Sequence, residues 1–310
     1  MDKIKVVYIT GWWRSGATIL SRCLGNAKES IFAGELKDYW RIRFMKHNIC
    51  SCGERFPSCS FWQEVSNEHI KSFQSIDFEE LKRDFLELEK WSNYIKLKRL
   101  IKHKKENSLK PILDKYLAHN EKLYEIISKV SGKKIIIDSS RNPGRLLALL
   151  SSKNIDMYTI DIIRDPRASL NSLIQKDFRN VHENRQNTLV NMINWDVKNL
   201  FGLDIMRKLD MNESAYISYK NFTTHPGQVL EKLKKRLNLT IDYEEINGNL
   251  SINLEAGHIF SGNRSRFNTG KITIKEDINW EKQLSWYHKI MISIGSLPIH
   301  KYLVKKYNLE

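Results

Sequence analysis

Residues Arg14-Ser15-Gly16-Ala17-Thr18 follow the apolar run Lys3–Thr10 and a glycine, Gly11. A buried strand that turns into a helix here leaves the first N–H groups of that helix without backbone partners, at the positive end of its dipole. Such a terminus binds anions. Gly11 and Gly16 allow tight turns and close backbone approach. Arg14 adds a permanently charged fork suited to phosphate or sulfate oxygens, with charge-assisted hydrogen bonds of about 1.5–3 kcal/mol. The glycine spacing is that of a Walker A loop, yet that motif needs lysine at position 17, where this chain has Ala17 followed by Thr18. The pattern therefore favours an oxyanion handled without Mg²⁺ over a nucleoside triphosphate. The bland alternative is a strand-to-helix turn with no ligand.

Three further stretches carry candidate chemistry. In "MYTIDIIRDPRASLNSL" a strand ends at Arg164 and a proline-started helix brings in Ser172, so a guanidinium and a hydroxyl can both meet a terminal phosphate. Read alone, "RDPR" is equally a capped turn in which Asp165 pairs with Arg167. In "GHIFSGNRSRF" (Gly257–Phe267) Asn263 can form a turn, and Arg264 and Arg266 supply cations; the alternative is an exposed basic loop. In "IFAGELKDYW" Glu35 follows Gly34 and is the candidate general base, a role that needs partial desolvation because nearby cations depress a carboxylate pKa. A structural ion pair with Arg41 or Arg43 is the competing reading, and Asp38 and His258 are the other candidate bases.

Taken in order, these pieces resemble the sulfotransferases that use 3′-phosphoadenosine 5′-phosphosulfate (PAPS). "RSGAT" is similar to the family's 5′-phosphosulfate loop, usually Arg/Lys-Ser-Gly-Thr-Thr, with Ala17 removing one hydroxyl while keeping the backbone N–H. The resemblance implies that Arg14, Ser15, Gly16, Ala17 and Thr18 hold the 5′-phosphosulfate and that Arg164 and Ser172 hold the 3′-phosphate. It also implies that Asn263, Arg264 and Arg266 belong to a late loop closing over the nucleotide, with Trp280 following at the family's distance. Gly34-Glu35 resembles the Gly-Glu of carboxylate-using members such as the tyrosylprotein sulfotransferases. PAPS would be the co-substrate and adenosine 3′,5′-bisphosphate (PAP) the product, with Arg14 countering the charge that grows on the leaving phosphate. No metal is required, and none is assigned.

The elements that must position these residues are legible as short β-branched runs at Ile4–Thr10, Lys134–Asp138, Tyr158–Ile163 and Ala215–Tyr219. Helical spacing lies between them at Thr18–Leu24, Pro166–Gln175, Asn187–Met206 and Pro226–Leu237. Alternation of this kind predicts an α/β protein with a central parallel sheet flanked by helices. The resemblance narrows this to the P-loop NTPase-like sulfotransferase fold. Residues 64–131, rich in Lys, Glu and Leu, read as a helical insertion, and no linker divides residues 1–310. The run "KLKRLIKHKK" (Lys96–Lys105) reads as a solvated helix face rather than a polyanion-binding patch.

Composition bounds the rest. The chain has 310 residues, 41% of them apolar and 28% charged, which is the make-up of an ordered globular protein. Its net charge of +15 favours anionic partners without choosing among them. No stretch of about 20 apolar residues suggests a membrane span, and no secretory signal opens the chain, so a cytoplasmic location and a small-molecule or natural-product acceptor are expected, with a hydroxyl or amine receiving the group. No nucleic-acid partner is expected. His47, Cys50, Cys52 and Cys59 offer four soft ligands, but their spacing is not that of a standard finger, and a packed loop near the acceptor mouth is the preferred reading. The competing functions are a P-loop-type kinase, with Asp138 ending a Walker B-like strand, and a non-enzymatic polyanion binder.

Overall fold

A computed structural model describes residues 3–42, 48–103, 107–179, 187–246 and 249–307. Five parallel strands, β1 (Ile4–Gly11), β2 (Ser30–Phe32), β3 (Ile135–Asp138), β4 (Ile155–Ile163) and β5 (Ser214–Ser218), form the central sheet in the order β2-β3-β1-β4-β5. In β1, Val6 to Thr10 are all buried, as befits a central strand covered on both faces. Its side chains alternate between two cores. Val6 and Tyr8 join Ile136 against Leu81, Phe85, Tyr116 and Tyr124, whereas Val7 and Ile9 join Ile137, Ile160 and Ile162 against Leu20, Leu24, Leu230 and Leu233. This is the period of two expected of a strand, and each fully buried aliphatic side chain contributes about 1.5–3 kcal/mol.

Between β2 and β3 run the helices Ser60–Lys71, Phe78–Glu89, Tyr94–His103 and Lys110–Ser131. Asp77 caps the second of them by accepting from the N–H groups of Glu79 and Glu80 at 2.9 and 3.0 Å. The basic run divides as helical spacing dictates: Leu97 and Leu100 are buried, and Lys98 pairs with Asp204 at 2.6 Å.

A second, antiparallel sheet of β6 (Glu244–Ile246), β7 (Asn249–Leu254) and β8 (Gly270–Thr273) was not apparent in the sequence. The Gly257–Phe267 stretch joins β7 to β8. β5 stops at Ser218, one residue before the expected end, because the Ser218 hydroxyl turns back to accept from the Asn221 N–H at 3.2 Å and start the next helix. No described helix is long and apolar enough to cross a membrane.

Candidate active site

The loop after β1 depends on its glycines. Gly11 and Gly16 have φ of +124° and +91°; a Cβ at Gly11 would lie 2.4 Å from the Ile162 carbonyl oxygen, and one at Gly16 would lie 2.6 Å from the Tyr219 ring. Arg14 itself adopts a left-handed φ of +64°, sparsely populated for a non-glycine residue. The helix that follows, Ala17–Gly25, starts with no side-chain cap, and the buried Ser15 hydroxyl has no hydrogen-bond partner among the described residues. Burial lowers the Arg14 pKa, and the charges of Arg164 and Arg141 lower it further. No described carboxylate lies within ion-pair distance of Arg14. Orphaned donors and mutually repelling cations are stabilised by a bound anion.

Register explains why the second arginine joins the first. Gly11 of β1 pairs with Ile162 of β4, so Arg164 emerges beside the loop. Arg164 is buried, donates to the Arg14 carbonyl at 2.8 Å, pairs with Asp277 at 3.1 Å and lies 4.2 Å from the Tyr219 ring centroid. Its Nε–H has no partner among the described residues. The capped turn exists, since Asp165 pairs with Arg167 at 2.7 Å, and it leaves Arg164 outside that pair. Ser172 is half-buried on the helix Pro166–Arg179. Arg167 lies 4.4 Å from the ring centroid of Trp280, joining that helix to the segment after β8.

Glu35 is buried at the end of β2. Its N–H donates to the Ser261 hydroxyl, which in turn donates to the Glu35 carbonyl, both at 3.1 Å. Its carboxylate bonds Arg141 and lies 3.2 Å from the Lys37 ammonium. Burial alone would raise its pKa, but Arg141 and Lys37 outweigh that and hold it below the usual range. The ion-pair partners differ from the two expected: Arg41 pairs with Asp38 at 3.4 Å, and Arg43 is outside the described residues.

Along the strand order, the residues just past each strand end form a row: Glu35 after β2, Arg141 after β3, Arg14 after β1 and Arg164 after β4. Arg141 and Lys37 were overlooked in the sequence. The signal for Arg141 was available, because it stands three residues past the β3 terminus, as Arg14 stands past β1. Beside the row opens a pocket of about 300 Å³ whose walls include Trp13, Lys37, Asp38, Glu89, Arg141 and Lys198. Lys198 lies over the Trp12 and Trp13 rings, and burial followed by the Arg141 and Lys37 charges lowers its pKa to about 8.

The late loop is built differently from the expectation in part. Asn263 forms the anticipated turn, accepting from the Ser265 N–H at 3.1 Å. Arg264 is exposed, whereas Arg266 folds onto its own loop, donating to the Gly262 carbonyl at 2.8 Å. A buried arginine from the helix after the first loop, Arg22, holds this segment through the Ser265 and Glu255 carbonyls at 2.7 and 3.1 Å. His258, a candidate base, instead faces the Cys59 thiol at 3.3 Å. Asp138 cannot serve as a Walker B carboxylate without rearrangement: Arg145 at 3.0 Å, Tyr124 at 2.7 Å and the Ser140 N–H at 2.9 Å already occupy it.

This architecture is that of the sulfotransferases. The sulfotransferase domain from the curacin biosynthetic pathway aligns over 100% of this chain and 99% of its own, with a TM-score of 0.51 at 15% identity. The sulfotransferase domain of the Synechococcus PCC 7002 olefin synthase aligns over 98% of this chain and 95% of its own, with a TM-score of 0.46 at 15% identity. No family model and no curated protein matches the sequence. The chain thus has a sulfotransferase fold, with a parallel sheet whose strand-end loops gather the cations described above.

Proposed function

We propose that the protein transfers a sulfuryl group from PAPS to a hydroxyl or amine of a small molecule, a natural product being the preferred class. The observation that carries this reading is the adjacency of Arg14 and Arg164 on neighbouring strand ends, beside an uncapped helix terminus and an unpartnered Ser15 hydroxyl. Arg14 to Thr18 hold the phosphosulfate, Arg164 and Ser172 the 3′-phosphate, and Asn263, Arg264 and Arg266 form the covering loop. The acceptor occupies the pocket walled by Trp13 and Lys198.

In the transfer, the acceptor atom bonds to sulfur as the bond from sulfur to the bridging phosphate oxygen breaks, leaving PAP. Arg14 offsets the charge that collects on that oxygen. Glu35, ionised throughout the neutral range, takes the acceptor proton, while its ion pairs with Lys37 and Arg141 fix its orientation. Those cations also reduce its basicity, so proton transfer accompanies rather than precedes formation of the new bond to sulfur.

Calorimetric titration tests the reading. PAP should bind at least about tenfold more tightly than ATP with Mg²⁺, a difference of about 1.4 kcal/mol. A preference for ATP with Mg²⁺ would transfer support to a kinase. Accumulation of acceptor heavier by one SO₃, dependent on PAPS, identifies the reaction.

A further inference from the structure

We propose that Cys50, Cys52, Cys59 and His258 form a structural zinc site that fastens the 48–59 segment to the loop between β7 and β8. The four ligand atoms lie within 4.8 Å of one another. A tetrahedral zinc with bonds of about 2.3 Å to sulfur sets neighbouring sulfurs about 3.8 Å apart. The Cys52 and Cys59 sulfurs are 3.6 Å apart, and the Cys59 sulfur is 3.3 Å from His258 Nδ1. Three thiols and one imidazole make a closed set with no position left for substrate, the pattern of structural rather than catalytic zinc.

Contacts from the surroundings fix the positions of these ligands. Gly53, at φ +95°, turns the chain after Cys52. Ser51 bonds Ile259 in both directions, through its N–H at 2.9 Å and its hydroxyl at 2.7 Å, and the Asn48 amide donates to the Phe260 carbonyl at 2.6 Å. The Trp62 indole N–H donates to the His258 carbonyl at 2.8 Å, and Phe61 stacks on the imidazole with 4.8 Å between centroids. Ligands already oriented by such contacts lose little freedom on binding. Cys50 and Cys59 are buried while Cys52 is exposed, which gives the ion an entry route. Binding releases three thiol protons and leaves a complex of charge −1, next to a segment that Arg266 touches at the Ile49 carbonyl.

The site does not depend on the sulfuryl-transfer reading, although it bears on it: Ser261, which brackets the Glu35 backbone, is three residues from His258. The sequence pattern pointed to His47, which lies outside the described residues, whereas the fourth ligand comes from 199 positions beyond Cys59.

Metal analysis of protein purified from zinc-supplemented medium tests this directly. The expected content is about one zinc per chain after desalting, released by a thiol-modifying mercurial. Cys59→Ser and His258→Ala should each lose zinc at least about tenfold, whereas Cys23→Ser, a buried cysteine outside the cluster, should keep it. Should the variants fail to fold, cobalt substitution of the wild-type protein remains, and it should give the visible and thiolate charge-transfer bands of a tetrahedral cobalt–thiolate centre. Metal-free protein whose cluster thiols all titrate, or whose mass is lower by two hydrogens from a disulfide, would overturn the proposal.

Discussion

Arg14 and Arg164 are chemically alike but differently employed. Arg14 has no carboxylate partner among the described residues, while Arg164 is committed to the Arg14 carbonyl, Asp277 and Tyr219. Arg14→Ala should therefore lower kcat by about 10²–10³-fold, the signature of an interaction stronger in the transition state, and should also weaken PAP, whose 5′-phosphate it holds. Arg164→Ala should instead raise the Kd for PAP by about 10–100-fold in calorimetry. Glu35 is the second case. With its folded pKa held below the unfolded value of about 4.3, its ion pairs stabilise the protein above that pH and are lost as pH falls through the folded value. Glu35→Gln should be less stable than wild type at pH 7, with the gap closing on acidification in thermal melts. In steady-state assays the same variant should lose the bulk of its turnover at every neutral pH, and full activity would remove Glu35 from the proton-transfer role. The motif residues were legible because each is a charged side chain just past an apolar run. The partners of Glu35 were missed: Arg141 reaches it from 106 positions away, and Lys37, two residues on, is brought back to the carboxylate by the helical turn Leu36–Asp38.

At the level of elements, β3 illustrates how one segment supports both the core and the site. Asp138 at its end is fully buried against Arg145 of the following helix, Pro143–Leu149, and that guanidinium also donates to Tyr116 at 2.7 Å and Asn120 at 2.8 Å. A buried pair of this kind resists loss of one partner far more than replacement of both. Arg145→Met should destabilise by about 3–5 kcal/mol in denaturant unfolding, because Asp138 would be left as an uncompensated buried charge. Asp138→Asn with Arg145→Met should recover part of that. The loss should extend to the active site, since Ser140 and Arg141 continue directly from β3 and Ser140 bonds Asp138. The long apolar runs of β1, β3, β4 and β5 announced the sheet. β2 has three residues, and β6 to β8 mix polar with apolar residues; such strands are specified by their neighbours rather than by their own pattern.

Across the whole molecule, the net charge of +15 and the row of cations at the sheet edge are separate features with different responses to salt. Part of the excess charge lies on exposed helix faces, including Lys96 and Lys102 of Tyr94–His103, where ions screen it over about 8–10 Å. Arg164 is buried and Arg14 half-buried, so charges meeting there are screened much less. Composition made the field legible and motif spacing made Arg14 and Arg164 legible, but the independence of field and row emerges only from burial. Weak, non-specific association with a polyanion displaces many counterions, and should fall by about 10³-fold or more between 50 and 200 mM salt if six phosphates are neutralised. Binding of PAP, a single small anion held by two enclosed guanidiniums, should fall by less than about tenfold over the same range. Parallel titrations with PAP and with a double-stranded oligonucleotide measure both slopes on one preparation. Equal steepness would mean that the nucleotide is held by the diffuse surface field, and the strand-end row would then lose its role as the binding site.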